Sequence, residues 1–313
     1  MSIRVFLKRA VILAFVISSV STLALAESIS SVVVYGDSLS DNGNLFAATG
    51  QPAAPYFQGR RSDGPVAVEQ LAAALGVPLI DFAWIGATSG IGNYSDGGTP
   101  TSPGLISLPG MQTELAATQA LLNPYLTSGL FIVWGGANDF LAPSPLDQTP
   151  IDVVNRAVSN DLGIVAALGL LGAHNILVPG LPDLGLTPYF RSLGPVAAQQ
   201  ASVLTDVFNT ALRSNLPSGV SFYDVAALQR ASVANPSAFG FMNVTDPCFN
   251  GVTVCANPSE YLFFDEFHPT STAHRFLAEG FLAAAVPEPE TYALMLAGLG
   301  VVGWVGRRRK PVQ

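Results

Sequence analysis

Five short runs of β-branched or large apolar residues, separated by helix-length segments, restrict this chain more than any other feature of its sequence. The runs are Ser31–Tyr35, Pro78–Ala83, Leu130–Trp134, Asn175–Val178 and Val220–Tyr223. Helix-length stretches fall near Met111–Leu122, Ile151–Leu171, Val196–Leu216 and Ser271–Ala285. Strands that alternate with helices are joined as parallel neighbours, and helices then cover both faces of the sheet. The pattern predicts an α/β fold built on a parallel sheet. No internal repeat interrupts it, and no shift in composition divides it into two domains. Ligands of such sheets bind beyond the carboxyl ends of the strands. Chemistry is therefore expected just after each apolar run.

Both ends of the chain carry a different kind of pattern. Arg4, Lys8 and Arg9 precede an apolar run from Ala10 to Val20, and Ala24-Leu25-Ala26 leads to Glu27. A basic start, a short apolar stretch and a small-residue exit make residues 1–26 a secretory signal peptide; an uncleaved anchor is the alternative. At the other end, Val286-Pro287-Glu288-Pro289 is followed by an apolar segment, Tyr292 to Gly306, and then by Arg307, Arg308, Arg309 and Lys310. That segment is short against the ~20 residues that span a bilayer, although flanking arginines can reach outward to the interface. A basic cluster after it stays cytoplasmic and leaves the rest of the chain outside. The order of these parts over residues 287–313 resembles the PEP-CTERM sorting signal, which implies an exosortase-type processing enzyme as partner. It also implies passage through the membrane by a short C-terminal helix and arrival at the cell surface. A plain C-terminal anchor is the competing reading.

What lies between, residues 27–286, is a single expected domain. It holds seven arginines, no lysine and twenty acidic residues, a balance near −13 against −8 for the whole chain. Nucleic-acid binding needs a basic face that displaces counterions, and this composition excludes one. Cys248 and Cys255 are the only cysteines. In an oxidising compartment two cysteines so close together are expected to pair, and a bridge over so short a loop stabilises by about 2–3 kcal/mol at most. No metal site is expected, because further ligands at suitable spacing are not evident.

Three places after apolar runs carry residues suited to acyl chemistry. The first is Gly36-Asp37-Ser38-Leu39-Ser40-Asp41, where Gly36 permits a tight exit from a strand and sets Ser38 on the rim. A serine hydroxyl is a weak nucleophile until a base takes its proton. Of three histidines, His174 precedes a strand and His274 falls inside the last helix. His268 stands in Phe264-Asp265-Glu266-Phe267-His268-Pro269, just ahead of that helix. Asp265, three residues earlier, can reach one imidazole nitrogen on a turn while the other faces a serine. Gly86, in Trp84-Ile85-Gly86-Ala87-Thr88, offers an unobstructed N–H, and Asn138, in Gly136-Ala137-Asn138-Asp139, a side-chain amide. Either suits a developing oxyanion. Taken singly, each of these is as readily a turn or cap residue.

Together, Gly36-Asp37-Ser38-Leu39-Ser40, the block around Gly86, Gly136-Ala137-Asn138-Asp139 and the segment Asp265 to His268 resemble, in order, the sequence blocks of the SGNH or GDSL hydrolase family. Gly64-Pro65-Val66 and Pro179-Gly180-Leu181-Pro182-Asp183-Leu184-Gly185 resemble its connecting text. The resemblance implies a three-layer α/β/α, flavodoxin-like sandwich with a five-stranded parallel sheet. It implies Ser38 as nucleophile, His268 as base and Asp265 as its orienting acid. It also implies an oxyanion hole from the Ser38 and Gly86 N–H groups and the Asn138 amide, with no cofactor or metal. The substrate would be a carboxylic ester, either a lipid acyl ester or an acetyl ester on a small molecule or polysaccharide. Phe57, Trp84 and Phe140 lie near these blocks and could line an acyl pocket or simply fill the core. The rival reading is a surface-associated binding or matrix module that keeps the fold without turnover.

Overall fold

The computed structural model describes residues 29–286 and, beyond them, Gly298 alone. The expected signal peptide lies outside the described residues, as do the C-terminal apolar segment and basic tail. No helix among the described residues is long and apolar enough to cross a membrane.

Five strands, β1 (Ser31–Gly36), β2 (Leu79–Asp81), β3 (Gly129–Trp134), β4 (Asn175–Pro179) and β5 (Ser221–Tyr223), form one sheet in the order β2-β1-β3-β4-β5. Every pairing is parallel. This is the flavodoxin-like arrangement, and all five strands fall within two residues of the runs read from the sequence. Alternation along each strand sends successive side chains to opposite faces. Val33, Tyr35, Phe131, Val133, Ile176 and Val178 join one core, against α3 (Met111–Thr118), α4 (Pro150–Leu171) and α6 (Pro195–Asn215). Val32, Val34, Leu130, Ile132, Trp134 and Leu177 join the other, against α2 (Ala67–Leu75) and α8 (Ser271–Ala285). The helices are cut to length by local chemistry. Thr149 and Asp152 exchange hydrogen bonds as a capping box with Pro150 inside the first turn of α4, and Gly172 closes it in the left-handed region at φ 103°. Thr270 accepts the N–H of Ala273 to start α8.

Several elements were not legible in the sequence. The region read as one helix from Met111 stops at Thr118 and tightens into a 3₁₀ turn over Gln119–Leu121. Four short helices were missed: α1 (Asn44–Thr49), α2, α5 (Pro188–Ser192) and α7 (Val225–Ala234). So was a second, two-stranded parallel sheet of β6 (Asn243–Pro247) and β7 (Tyr261–Phe263). β6 reads Asn-Val-Thr-Asp-Pro, poor in strand formers, and is held by pairing and by the small core around Phe241, Leu262 and Phe263.

α8 is clamped to the sheet by Phe281, which is fully buried with its ring edge-on to Trp134 at 5.2 Å and to Tyr223 at 5.3 Å. Replacing Phe281 by Ala is expected to destabilise the fold by about 3–5 kcal/mol, measured as a lowered urea midpoint. A loss below about 1 kcal/mol would show that this clamp does not hold the last helix.

Candidate active site

Strand order reverses between β1 and β3, so the chain leaves these neighbours in opposite directions and opens a crevice at their ends. Gly36 faces Trp134 in register, and any Cβ at Gly36 would press on the Trp134 carbonyl oxygen at 2.6 Å. The two strands can end this close together only with glycine there. Ser38 follows two residues later and Asn138 sits on the 3₁₀ turn after β3, bringing both to the crevice.

Buried carboxylates tie the segments together. Asp41 accepts the N–H groups of Gly43 and Asn44 at 2.7 and 2.6 Å, and reaches across to that of Ile85 at 2.8 Å. That last bond seats Gly86 beside the Ser38 turn. Gly86 holds φ at 81°, and a side chain there would collide with Asn93 and Ser95, so glycine is required twice over. Asp139 accepts both the N–H and the hydroxyl of Ser89, at 2.8 and 2.7 Å, which joins the β3 turn to the 86–110 loop. Neither the Ser38 nor the Gly86 backbone N–H has a partner among the described residues. The Asn138 amide donates to Ala87 O at 2.9 Å and lies 3.5 Å from Asp37 Oδ2.

From the far end of the chain, the turn after β7 carries Asp265 and His268. Asp265 Oδ1 accepts the backbone N–H groups of Phe267 and His268 at 2.9 and 2.8 Å, which folds the turn around its own carboxylate. His268 Nδ1 lies 2.7 Å from Asp265 Oδ1, and its Nε2 lies 2.7 Å from Ser38 Oγ. Burial alone would raise Asp265, but the His268 charge and the donors around it outweigh burial and hold it near 2. An ionised carboxylate only accepts, so the proton sits on Nδ1 and the Nε2 lone pair faces the serine hydroxyl. The structure thus brings Ser38, His268 and Asp265 into one row, with Gly86 and Asn138 beside it. His274 is buried and accepts the N–H of Ala67 at 3.2 Å, a packing role between α8 and α2. Exposed His174 stands just ahead of β4.

The row opens into a cavity of about 320 Å³, within the range that holds small-molecule ligands. Its wall includes Leu39, Ile85, Leu141, Leu184 and Phe190, with Tyr94 and Phe249 toward the rim. Of the aromatics considered from sequence, Phe57, Trp84 and Phe140 are not in this wall; Trp84 and Phe140 pack against the core instead. Cys248 and Cys255 are disulfide-bonded, and their loop supplies Phe249 and Gly251 to the cavity. No group of three or more His, Cys, Asp and Glu among the described residues is placed to hold a metal ion.

The model of the GDSL-like Lipase/Acylhydrolase family matches residues 32–281. This chain belongs to that family. Beyond the GDSL domain, the model of the PEP-CTERM protein-sorting motif matches residues 285–310. The GDSL domain is similar to a thermolabile hemolysin of Vibrio parahaemolyticus, 26% identical over 83% of this chain and 64% of that one. A phosphatidylcholine-sterol acyltransferase of Aeromonas hydrophila is 31% identical over 71% of this chain and 66% of its own length. Esterase EstA of Pseudomonas aeruginosa is 30% identical over 80% of this chain and 46% of its own. The chain therefore spans just under two thirds of the first two relatives and about half of the third.

Two residues that touch this site escaped the sequence reading. Tyr56 and Arg61 belong to no motif block, and nothing in Pro55-Tyr56-Phe57-Gln58-Gly59-Arg60-Arg61 signals a site. Asp139 closes the Gly136-Ala137-Asn138-Asp139 block without a role of its own in the sequence pattern. Burial pushes its carboxyl up to about 7, offset only in part by its bonds from Ser89. The folded chain therefore keeps this proton well above the pH at which the unfolded chain loses it. Stability from this group is complete below about pH 4 and is lost as pH rises through 7. Asp37, which burial raises to about 6, acts in the same direction. The urea midpoint is expected to fall between pH 4 and 8, and Asp139→Asn to flatten that fall by on the order of a few kcal/mol. An unchanged slope in the variant would mean that Asp139 is ionised throughout.

Proposed function

We propose that this chain is an exported serine hydrolase of carboxylic esters that works through Ser38, His268 and Asp265. The observation that carries the reading is the unbroken row from Ser38 Oγ to His268 Nε2 at 2.7 Å and from Nδ1 to Asp265 at 2.7 Å. His268 takes the Ser38 proton as Oγ attacks the ester carbonyl carbon, and Asp265 stabilises the imidazolium that results. The oxyanion accepts the N–H groups of Ser38 and Gly86, together with an amide hydrogen of Asn138 that gives up its long, 3.5 Å contact with Asp37 Oδ2. Collapse expels the alcohol, which leaves with the proton from His268, and an acyl group remains on Ser38. Water then repeats the sequence with His268 as base and releases the acid. None of these steps draws on a cofactor.

The apolar wall of the cavity favours an acyl chain over a sugar ring, and supports a lipid acyl ester ahead of an acetylated polysaccharide. The relative named phosphatidylcholine-sterol acyltransferase points the same way. The PEP-CTERM motif supports surface or secreted residence, reached by signal-peptide export and processing by an exosortase while the C-terminal apolar segment holds the membrane.

Hydrolysis of p-nitrophenyl esters from acetyl to palmitoyl tests the reading. Ser38→Ala is expected to abolish turnover, by at least about 10³-fold, and Asn138→Ala to slow it by about 10²–10³. A fluorophosphonate probe should label the wild type and spare Ser38→Ala. Equal turnover by wild type and Ser38→Ala would end the serine mechanism, and an optimum at acetyl would move the substrate to the polysaccharide class.

A further inference from the structure

Tyr56 stands 209 residues from Asp265 in sequence, yet its hydroxyl lies 2.8 Å from Asp265 Oδ2. Arg61 Nη1 lies 3.1 Å from the same hydroxyl, and the guanidinium carbon sits 4.9 Å from the Tyr56 ring centroid. A guanidinium can only donate and an ionised carboxylate can only accept. The phenol oxygen therefore receives a hydrogen from Arg61 and gives its own to Asp265. Each hydrogen in the row Arg61, Tyr56, Asp265, His268, Ser38 has a single possible direction.

The ring itself has little freedom. Phe249 and Phe264 meet it edge-on at 5.6 and 5.5 Å, and Phe249 is tethered beside the Cys248–Cys255 bridge. Burial, then the charge of Asp265, pushes the Tyr56 hydroxyl up to about 12, so it remains a donor at any working pH. Arg61 forms no ion pair among the described residues, and its Nε is buried without a partner. Through the phenol, this row connects the Arg61 cation to the Asp265 carboxylate.

We propose that Tyr56, oriented by Arg61, is a positioning residue that fixes the Asp265 carboxylate and so sets how firmly His268 holds a proton. The proposal rests on the triad reading above. Asp265 Oδ1 already receives two backbone N–H groups, and Oδ2 depends on Tyr56 and on the second, 2.9 Å contact with His268 Nδ1. Without the phenol proton, the charge on Oδ2 is less dispersed and draws more strongly on the imidazole. The imidazolium then persists to higher pH. The other charged or titratable groups around His268 are Asp37 from the β1 turn, Glu266 on its own turn, His274 on α8 and Arg61. None of these changes in a Tyr56→Phe protein.

The full chain with Tyr56→Phe keeps the aromatic contacts and loses only the hydroxyl. Expected are a fall of about tenfold in kcat with KM held within twofold, and an acid limb of kcat/KM displaced upward by about half a pH unit. Arg61→Met breaks the row from its other end, giving up the guanidinium over the Tyr56 ring but keeping the Phe249 and Phe264 contacts, and serves if Tyr56→Phe folds poorly; it should move kcat and the acid limb the same way. The double variant should be no worse than Tyr56→Phe, since both act through one hydroxyl. NMR titration of the His268 ring reads the same displacement without any substrate, so an upward shift with no ester turnover would condemn the triad reading and spare this one. An unmoved His268 titration and acid limb in both single variants, or a loss confined to KM, would overturn the positioning role and leave Tyr56 as cavity wall.

Discussion

Val34 and Ile132 lie side by side at the centre of a sheet that is covered on both faces, and their register decides where the rest of the molecule goes. Six residues of β1 face six of β3, from Ser31 opposite Gly129 to Gly36 opposite Trp134. A slip of one residue would turn every apolar side chain of β1 to the wrong core. It would also carry Ser38 out of reach of His268. Fully buried strands leave no such slip available, because each face has its own packed layer to satisfy. The position of the Ser38 hydroxyl is thus inherited from the packing of valines and isoleucines several residues away.

Above that frame the site is assembled largely by carboxylates. Asp41 draws Ile85 against the Ser38 turn, Asp139 draws the 86–110 loop against the β3 turn, and Asp265 curls its own turn so that His268 points inward. A carboxylate suits this work because it accepts several N–H groups at once, and charge strengthens each bond. Burial has a cost, since Asp37 and Asp139 are driven toward neutrality while Asp265, facing an imidazole, stays ionised. One residue type therefore serves as a structural tie and, opposite a histidine, as a fixed charge.

Much of this could be read from the sequence, for identifiable reasons. Strands such as Val32-Val33-Val34 announce themselves because a strand buried on both faces has no use for polar residues. Ser38, Gly86 and Asn138 were legible because each follows an apolar run at the rim where such sheets bind ligands, and His268 because Asp265 stands three residues before it just ahead of the last helix. Tyr56 and Arg61 were not, since the reason for their placement lies 209 residues away and leaves no local pattern. β6 and β7 were hidden for a related reason. Their residues pair because Phe241 and Leu262 share a core, and neither strand would form alone.

Ser38 and His268 are separated by 230 residues, and they meet only when the turn after β7 docks on the end of β1. A chain made from its N-terminus presents the serine early and its imidazole almost last. Any shorter fragment leaves the Ser38 hydroxyl without the His268 contact, however well its sheet has formed. Closing so long a loop has to wait for the intervening layers to pack. Under the proposed mechanism this contact ties turnover to a finished fold, because Ser38 meets its base only once the turn after β7 has docked on the end of β1.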